Sequence, residues 1–491
     1  MALAKISWAS IAAIFLAFPR AGWATEDPCT GVLVSDALPV LINQHKIQRH
    51  LQHLQEISHA HGGSRMAGSA GNNQTIEYIK HELDNLGYYV ETQKVDVMTP
   101  VNGNATLIVN GNSFQVDPVG WSPSANITDR PVVEYDYPVD SIGAVVLVNG
   151  DDCSFSDKSI AAHEAGADAL LVYEDSQLVP SLGGQNGRHI PTARISEQAR
   201  KDIMNQRNPV WVDLVGISTK TRMVHSHNVF ATYECGDDKD TLLVGTHTDS
   251  VGNSSGINDN ASGIASLLEV AAQLTKFRTK SRVKFAFWTA AEPCLLGSKH
   301  YVSTAYPEEL RKIRLYLDVN MLGSPNGALK IYNSDMEEII EHQKFTPWGS
   351  FEATWTLARG FEAQGVQSTA STKITNRSDY APFYAANIAF AGLFSGANGR
   401  KTREEAELFG GTAGHPYDHN YHQPGDNITN INMTTLFLNT KALAHTVGTY
   451  GRSFDNFPAR PMTTGAASRY TTPARYSTLM TQAWLAYSLL L

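Results

Sequence analysis

A chain of 491 residues with 42% hydrophobic residues is long for one domain and has ample material for a core. Its net charge of −9 and pI near 6.0, with Lys and Arg scattered and forming no stripe, exclude nucleic acid and other polyanions as partners.

Residues Met1 to Ala24 carry one early positive charge at Lys5, an apolar run from Ile6 to Phe18, and the small residues Gly22 and Ala24 at cleavage spacing. This reads as a secretory signal peptide. The apolar run is too short to span a bilayer, which takes about 20 residues. Removal of the leader (1–24) leaves about 467 residues, for which two domains are expected. An extracellular location fits the eight Asn-x-Ser/Thr sequons at Asn73, Asn104, Asn126, Asn253, Asn260, Asn376, Asn427 and Asn432. Four cysteines, Cys29, Cys153, Cys235 and Cys294, allow two disulfides in three connectivities, and their spacing fits no Cys-x-x-Cys metal site.

From His50 to Gly87 the apolar residues Leu51, Leu54, Ile57, then Ile76, Ile79, Leu83 and Leu86 have helical period. The Gly-rich stretch 61–71 splits them, so two helices and a turn are expected. Six histidines lie between His45 and His81 without a common face, which predicts a solvated helix surface and no metal cluster.

Short β runs follow, Ala105 to Val109, Ala144 to Val148 and Ala169 to Tyr173, broken by Pro, Gly and Asn. Among them, Cys153-Ser-Phe-Ser-Asp-Lys158 leads into the Ala-rich stretch His163 to Tyr173, and Ile190-Pro-Thr-Ala-Arg-Ile195 comes after. Residues 125–215 thereby resemble the protease-associated domain, a small β-rich insert of secreted and vacuolar peptidases.

After Asn228 strands alternate with helices. Thr241 to Gly245, Val283 to Trp288 and Arg314 to Leu322 read as strands, and Ala261 to Phe277 as a helix with Ile264, Leu267, Leu268, Ala271 and Leu274 on one face. This alternation predicts α/β layering around a mostly parallel sheet, with ligands beyond the carboxyl ends of the strands. His247, Glu292 and Asn320 follow or end such strands. Zinc prefers His nitrogen and carboxylate oxygen, with one position left to water in catalytic sites. His247, Asp259, Glu292 and His422 supply those types from four loops, although Asp259 and Asn260 are also placed to cap the next helix.

The segments HTDSVGNSSGINDNASG, FWTAAEPCLLGSKHYV, LYLDVNMLGSPN, NRSDYAPF and YDHNYHQPGDNITN, in this order, resemble the co-catalytic two-zinc aminopeptidases of the fungal secreted leucine aminopeptidase and vacuolar aminopeptidase Y type. The resemblance runs to about Gly451. It implies an α/β fold, a mostly parallel mixed sheet flanked by helices, with the aminopeptidase-like domain at 25–124 and 216–455 around the protease-associated insert. It further implies a bridging carboxylate at Asp259, one zinc completed by His247 and Asn320, and the other by Glu292 and His422. Asp249 falls on the carboxylate that orients a ligand imidazole, and Tyr421 on a tyrosine that polarises the scissile carbonyl.

Two departures stand out. The family's Ala-Glu-Glu, base then ligand, reads Ala290-Ala291-Glu292, and its Asp-Met reads Asn320-Met321. Losing the base removes a proton transfer typically worth ~10²- to 10⁴-fold in rate. A neutral amide at 320 weakens one zinc site, so one tight zinc and reduced activity are expected. Asp318 shares the strand face of residue 320, and a one-pleat slip would carry it towards the metal, although it lies about 6–7 Å away along the strand. Cys294 is a nearby thiol for which a structural role is expected. Asn260 and Asn376 are sequons beside the site, where a glycan would obstruct substrate, so both are expected to be unmodified.

Beyond Phe454 the resemblance stops. Small residues Gly465 to Ser468, a polar spacer Arg469 to Thr478 and a mostly apolar end Leu479 to Leu491 match a glycosylphosphatidylinositol signal, against which stands a terminal helix packed on the domain. The expectation is a secreted, monomeric, zinc-dependent aminopeptidase-like hydrolase acting on peptides. Its rivals are a non-catalytic peptide- or protein-binding relative and a single-zinc glutaminyl cyclase-like enzyme.

Overall fold

The computed structural model describes residues 29, 31–135, 141–150, 155–173, 182, 186–206, 209–332, 346–366, 369–372, 374 and 377–459. The leader, Cys153, Asn376 and the tail beyond 459 lie outside the described residues. In chain order the strands are β1 Tyr89–Val109, β2 Asn112–Gln115, β3 Asp117–Pro118, β4 Ala125–Glu134, β5 Val145–Asn149, β6 Ala169–Tyr173, β7 Thr192–Ile195, β8 Trp211–Tyr233, β9 Asp237–His247, β10 Ser281–Trp288, β11 Ile313–Val319, β12 Lys330–Tyr332, β13 Ala370–Thr372 and β14 Phe390–Phe394.

The aminopeptidase-like half is a mixed sheet in the order β13-β12-β14-β11-β9-β10-β8. Its centre is parallel: β14 with β11, β11 with β9, and β9 with β10. Antiparallel pairs flank it, β12 with β14 and β10 with β8. Central strands buried on both faces read as continuous apolar runs, as Leu242-Leu243-Val244 and Phe285-Ala286-Phe287 do here. Each fully buried Leu or Phe contributes about 1.5–3 kcal/mol. The helix Ser262–Leu274 is buried at nearly every position and packs against β9 and the helices Gln44–Ala60 and Met433–Arg452.

The two expected helices of the amino-terminal region are Gln44–Ala60 and Ala70–Asn85, capped by the side chains of Asn43 and Ser69. One histidine there departs from the expected solvated surface. His50 is buried, and its Nδ1 lies 2.5 Å from Tyr78 Oη. Burial, then the neighbouring Arg49, holds its imidazole down at about 4.

β1 and β8 pair antiparallel from Tyr89↔Thr232 to Val109↔Val212, running out of the main sheet into the β-rich insert. There β4, β5, β6 and β7 pair in parallel, β3 closes antiparallel on β7, and a separate core forms from Leu107, Val109, Leu147, Leu171, Val212 and Leu214. Among the described residues no helix is long and apolar enough to cross a membrane.

Candidate metal centre

Three neighbouring parallel strands end side by side, and each delivers a site residue. β9 ends on His247, which pairs with Trp288 at the end of β10, and the β10 loop then carries Glu292. β11 ends at Val319, one residue before Asn320. Met321 then turns with φ 47°, which is why the strand stops short of Leu322. Asp259 and His422 arrive on loops, and the His422 backbone is left-handed at φ 58°.

The side chains converge. His247 Nε2 lies 3.3 Å from Asp259 Oδ1, and His422 Nε2 lies 3.1 Å from Asp259 Oδ2 and 3.2 Å from Glu292 Oε2. One ligand atom from each of His247, Asp259 and Glu292 falls within 4.8 Å of the others. His422 Nε2 is nevertheless hydrogen-bonded to neither carboxylate, and Glu292 Oε1 is buried without a partner. The oxygens flank the imidazole nitrogen off the hydrogen-bond direction, as ligand atoms around a shared centre do, and buried polar atoms seldom stay unpaired without such a reason. The donor set fits a divalent cation of the zinc type.

The charges reinforce one another. Burial opposes a charged His422, but the Glu292 and Asp259 carboxylates outweigh it and push the imidazole up to about 10. His247 is likewise raised well above its ordinary value, burial being overcome by Asp249 and Asp259. Asp259 is held below the usual carboxylate range by the two imidazoles in spite of its burial, whereas burial raises Glu292.

Asp249 has a task beside the one expected of it. The His247 Nδ1–H has its hydrogen bond with the Asp249 backbone oxygen at 3.1 Å, while the carboxylate stands 3.6 Å away. The carboxylate also accepts the backbone N–H groups of Ala291 at 3.0 Å and Glu292 at 3.1 Å. Asp259 does not cap the following helix. Asn260 does, its Oδ1 accepting from Gly263 N at 3.2 Å, while its Nδ2 donates to Thr246 Oγ1 and Val319 O. Both amide protons are thus engaged in a fully buried side chain.

The slip that would bring Asp318 to the metal is not seen. Its carboxyl takes hydrogen bonds from Tyr316 and Ser378, and Ser378 separates it from Asn320. Asn320 lines the cavity, its Nδ2 donating to Ser378 Oγ at 3.1 Å. Ala291 also lines the cavity and offers only a methyl group there. Tyr421 lines the cavity too, stacked on His422 with ring centroids 3.7 Å apart.

The cavity holds about 380 Å³. Its lining also includes Lys330, Tyr332, Arg377, Phe394 and Tyr417, none of which the sequence singles out. Two further residues escape the sequence. Arg65 is fully buried, donates to the carbonyl oxygens of Thr248, Ser255 and Gly256, and fixes the loop leading to Asp259. Asp426 accepts the N–H groups of Asn258 and Asp259 at 2.7 and 3.1 Å. A lone arginine within a Gly-rich turn, and an acid four residues after His422, were the available signals.

The profile of peptidase family M28 matches residues 228–447, and that of the PA domain matches residues 100–203. The chain is 37% identical to the probable leucine aminopeptidase 2 of Trichophyton verrucosum over 454 residues, 90% of each chain. It is also 37% identical to that of Aspergillus fumigatus over 448 residues, 87% of each. The fold is similar to that of the aminopeptidase from Aneurinibacillus sp. strain AM-1, with TM-score 0.63 and 22% identity, over 85% of this chain and 97% of that one. It is similar also to BSAP, a zinc aminopeptidase from Bacillus subtilis, with TM-score 0.57 and 21% identity over 83% and 94% of the two chains.

Proposed function

The chain belongs to peptidase family M28, and from that premise we propose that it is a zinc-dependent aminopeptidase that releases amino-terminal residues from peptides with one tightly held zinc and reduced turnover. Asp259, Glu292 and His422 would hold that zinc, and His247 with Asn320 a weaker second one. The observation that carries this reading is the convergence of Asp259 Oδ2 and Glu292 Oε2 on His422 Nε2, at 3.1 and 3.2 Å. Zinc bound there would polarise the scissile carbonyl and lower the pKa of a water towards ~7.

The chain's own residues supply the rest. Asp249 clamps the 291–292 backbone and so aims Glu292 inward. Tyr421, on the cavity wall, is placed to donate to the developing oxyanion. Ala291 has no group that can take a proton, and low turnover is the expected result.

The test is release of leucine from leucyl peptides by purified protein, with zinc measured in parallel. A protein that holds zinc but releases no residue from any amino terminus would refute hydrolysis. Ala291 is what favours the second reading, a peptide-binding relative, and such a protein would bind peptides without cleaving them. Secretion, and a lipid anchor made from the tail, belong to the same proposal. Release of the native protein from membranes by an anchor-specific phospholipase supports the anchor, and peptides from beyond Thr478 in the mature protein would exclude it.

A further inference from the structure

Asn320 is where this chain has given up a ligand charge, and a chain of hydrogen bonds leaves its amide a single orientation. Trp288 Nε1 donates to Tyr316 Oη at 2.9 Å, the Tyr316 hydroxyl donates to Asp318 Oδ1 at 3.0 Å, and Ser378 Oγ donates to Asp318 Oδ2. An indole N–H can only donate and a carboxylate can only accept, so both hydroxyl protons are committed to Asp318. Ser378 Oγ has only lone pairs left to offer, and it accepts from Asn320 Nδ2 at 3.1 Å. The amide nitrogen is thereby tied to Ser378. The amide oxygen, on the other branch, is buried without a hydrogen-bond partner in a residue that lines the same cavity as His247 and Asp259. Trp288, Tyr316, Asp318 and Ser378 are all buried, so water does not compete for these bonds.

We propose that Ser378 and Asp318 are positioning residues that make Asn320 present its carbonyl oxygen, and not its NH₂ group, to a second cation held with His247 and Asp259. The reversed amide would aim two N–H dipoles at the cation. An amide carbonyl is a competent neutral ligand, but it ligates through one atom only. A carboxylate at 320 could ligate through either oxygen and would not depend on which way the group is turned. The substitution of Asn for an acid therefore makes the second site depend on Ser378.

This rests on the zinc reading above, and zinc titration of the full chain by calorimetry separates the two. The unmodified protein is expected to bind a first equivalent tightly and a second weakly. Ser378→Ala should weaken the second equivalent 10- to 100-fold, the usual cost of losing a residue that orients a ligand, and leave the first within about two-fold. Asp318→Asn, which can donate to Ser378 and free its proton for the Asn320 oxygen, should act in the same direction. Asn320→Asp in the Ser378→Ala background should restore the second equivalent. A second equivalent that is absent from the unmodified protein, indifferent to Ser378→Ala, weakened in step with the first, or not restored by Asn320→Asp overturns the inference alone. Failure to bind any zinc would overturn the zinc reading with it.

Discussion

The carboxylate of Asp249 accepts the backbone N–H of Glu292 at 3.1 Å, so the segment that should carry a base is held in register even though the base is gone. Ala291→Glu places a carboxylate on a backbone already clamped on the cavity wall. Turnover on a leucyl substrate should rise ~10²- to 10⁴-fold, about 3–5 kcal/mol at the transition state. Asn320→Asp alone should raise zinc content more than turnover, and the pair should exceed the sum of the two effects, since both act on one water. A double variant that is loaded with zinc and inert on every amino-terminal substrate would leave the binding reading in the lead.

His422→Ala should remove the tightly held zinc, because Asp259 and Glu292 alone are too few ligands. Metal analysis after gel filtration in zinc-free buffer should give about one equivalent per chain before the substitution and close to none after it. Retention of the metal in His422→Ala would mean that the tight site lies elsewhere.

Arg65→Met leaves the carbonyls of Thr248, Ser255 and Gly256 without their shared donor in a dry interior. Unfolding in urea should show a loss of about 3 kcal/mol or more, and zinc should be held less tightly because the Asp259 loop is freed. Arg65→Lys should recover little, since an ammonium cannot reproduce the guanidinium fork. Full recovery with lysine would show that charge alone matters.

His50 gives the stability a dependence on acid. In the folded chain its imidazole stays neutral down to about 4, whereas the unfolded imidazole takes up a proton near 6.5. Between these values the unfolded state binds more protons, so stability falls as pH drops from 6.5 to 4, by on the order of 3 kcal/mol in all. His50→Leu should flatten that slope in chelated protein. Parallel slopes for the two proteins across this window would contradict the assignment.

The candidate ligands were legible as residue types that suit zinc, set in motifs that resemble a known family, and the fold brings His247, Asp259, Glu292 and His422 together. The alternation of apolar strands with helices likewise marked the sheet, since both faces of β9 and β10 are covered. Other features were not legible. Lys330, Arg377, Phe394 and Tyr417 line one cavity only because distant segments fold together. The resemblance pairs Asp249 with the His247 imidazole, but nothing in the sequence announces that its carboxylate also accepts the backbone N–H groups of Ala291 and Glu292 on a neighbouring loop. Asp318 is one pleat from Asn320 on the same strand, but its bonds to Tyr316 and Ser378 keep it behind the cavity wall.

Cys294, two residues after Glu292, is buried in one cluster with Val119 and with Val146, Phe155 and Ile190 of the β-rich insert. The insert is therefore not an exchangeable module hung on the peptidase fold. A graft that swaps it for a counterpart from another protein inherits an obligation to rebuild the seat of Cys294, or the loop bearing Glu292 loses its footing. Recombination within the family would be expected to move insert and loop together as one heritable unit.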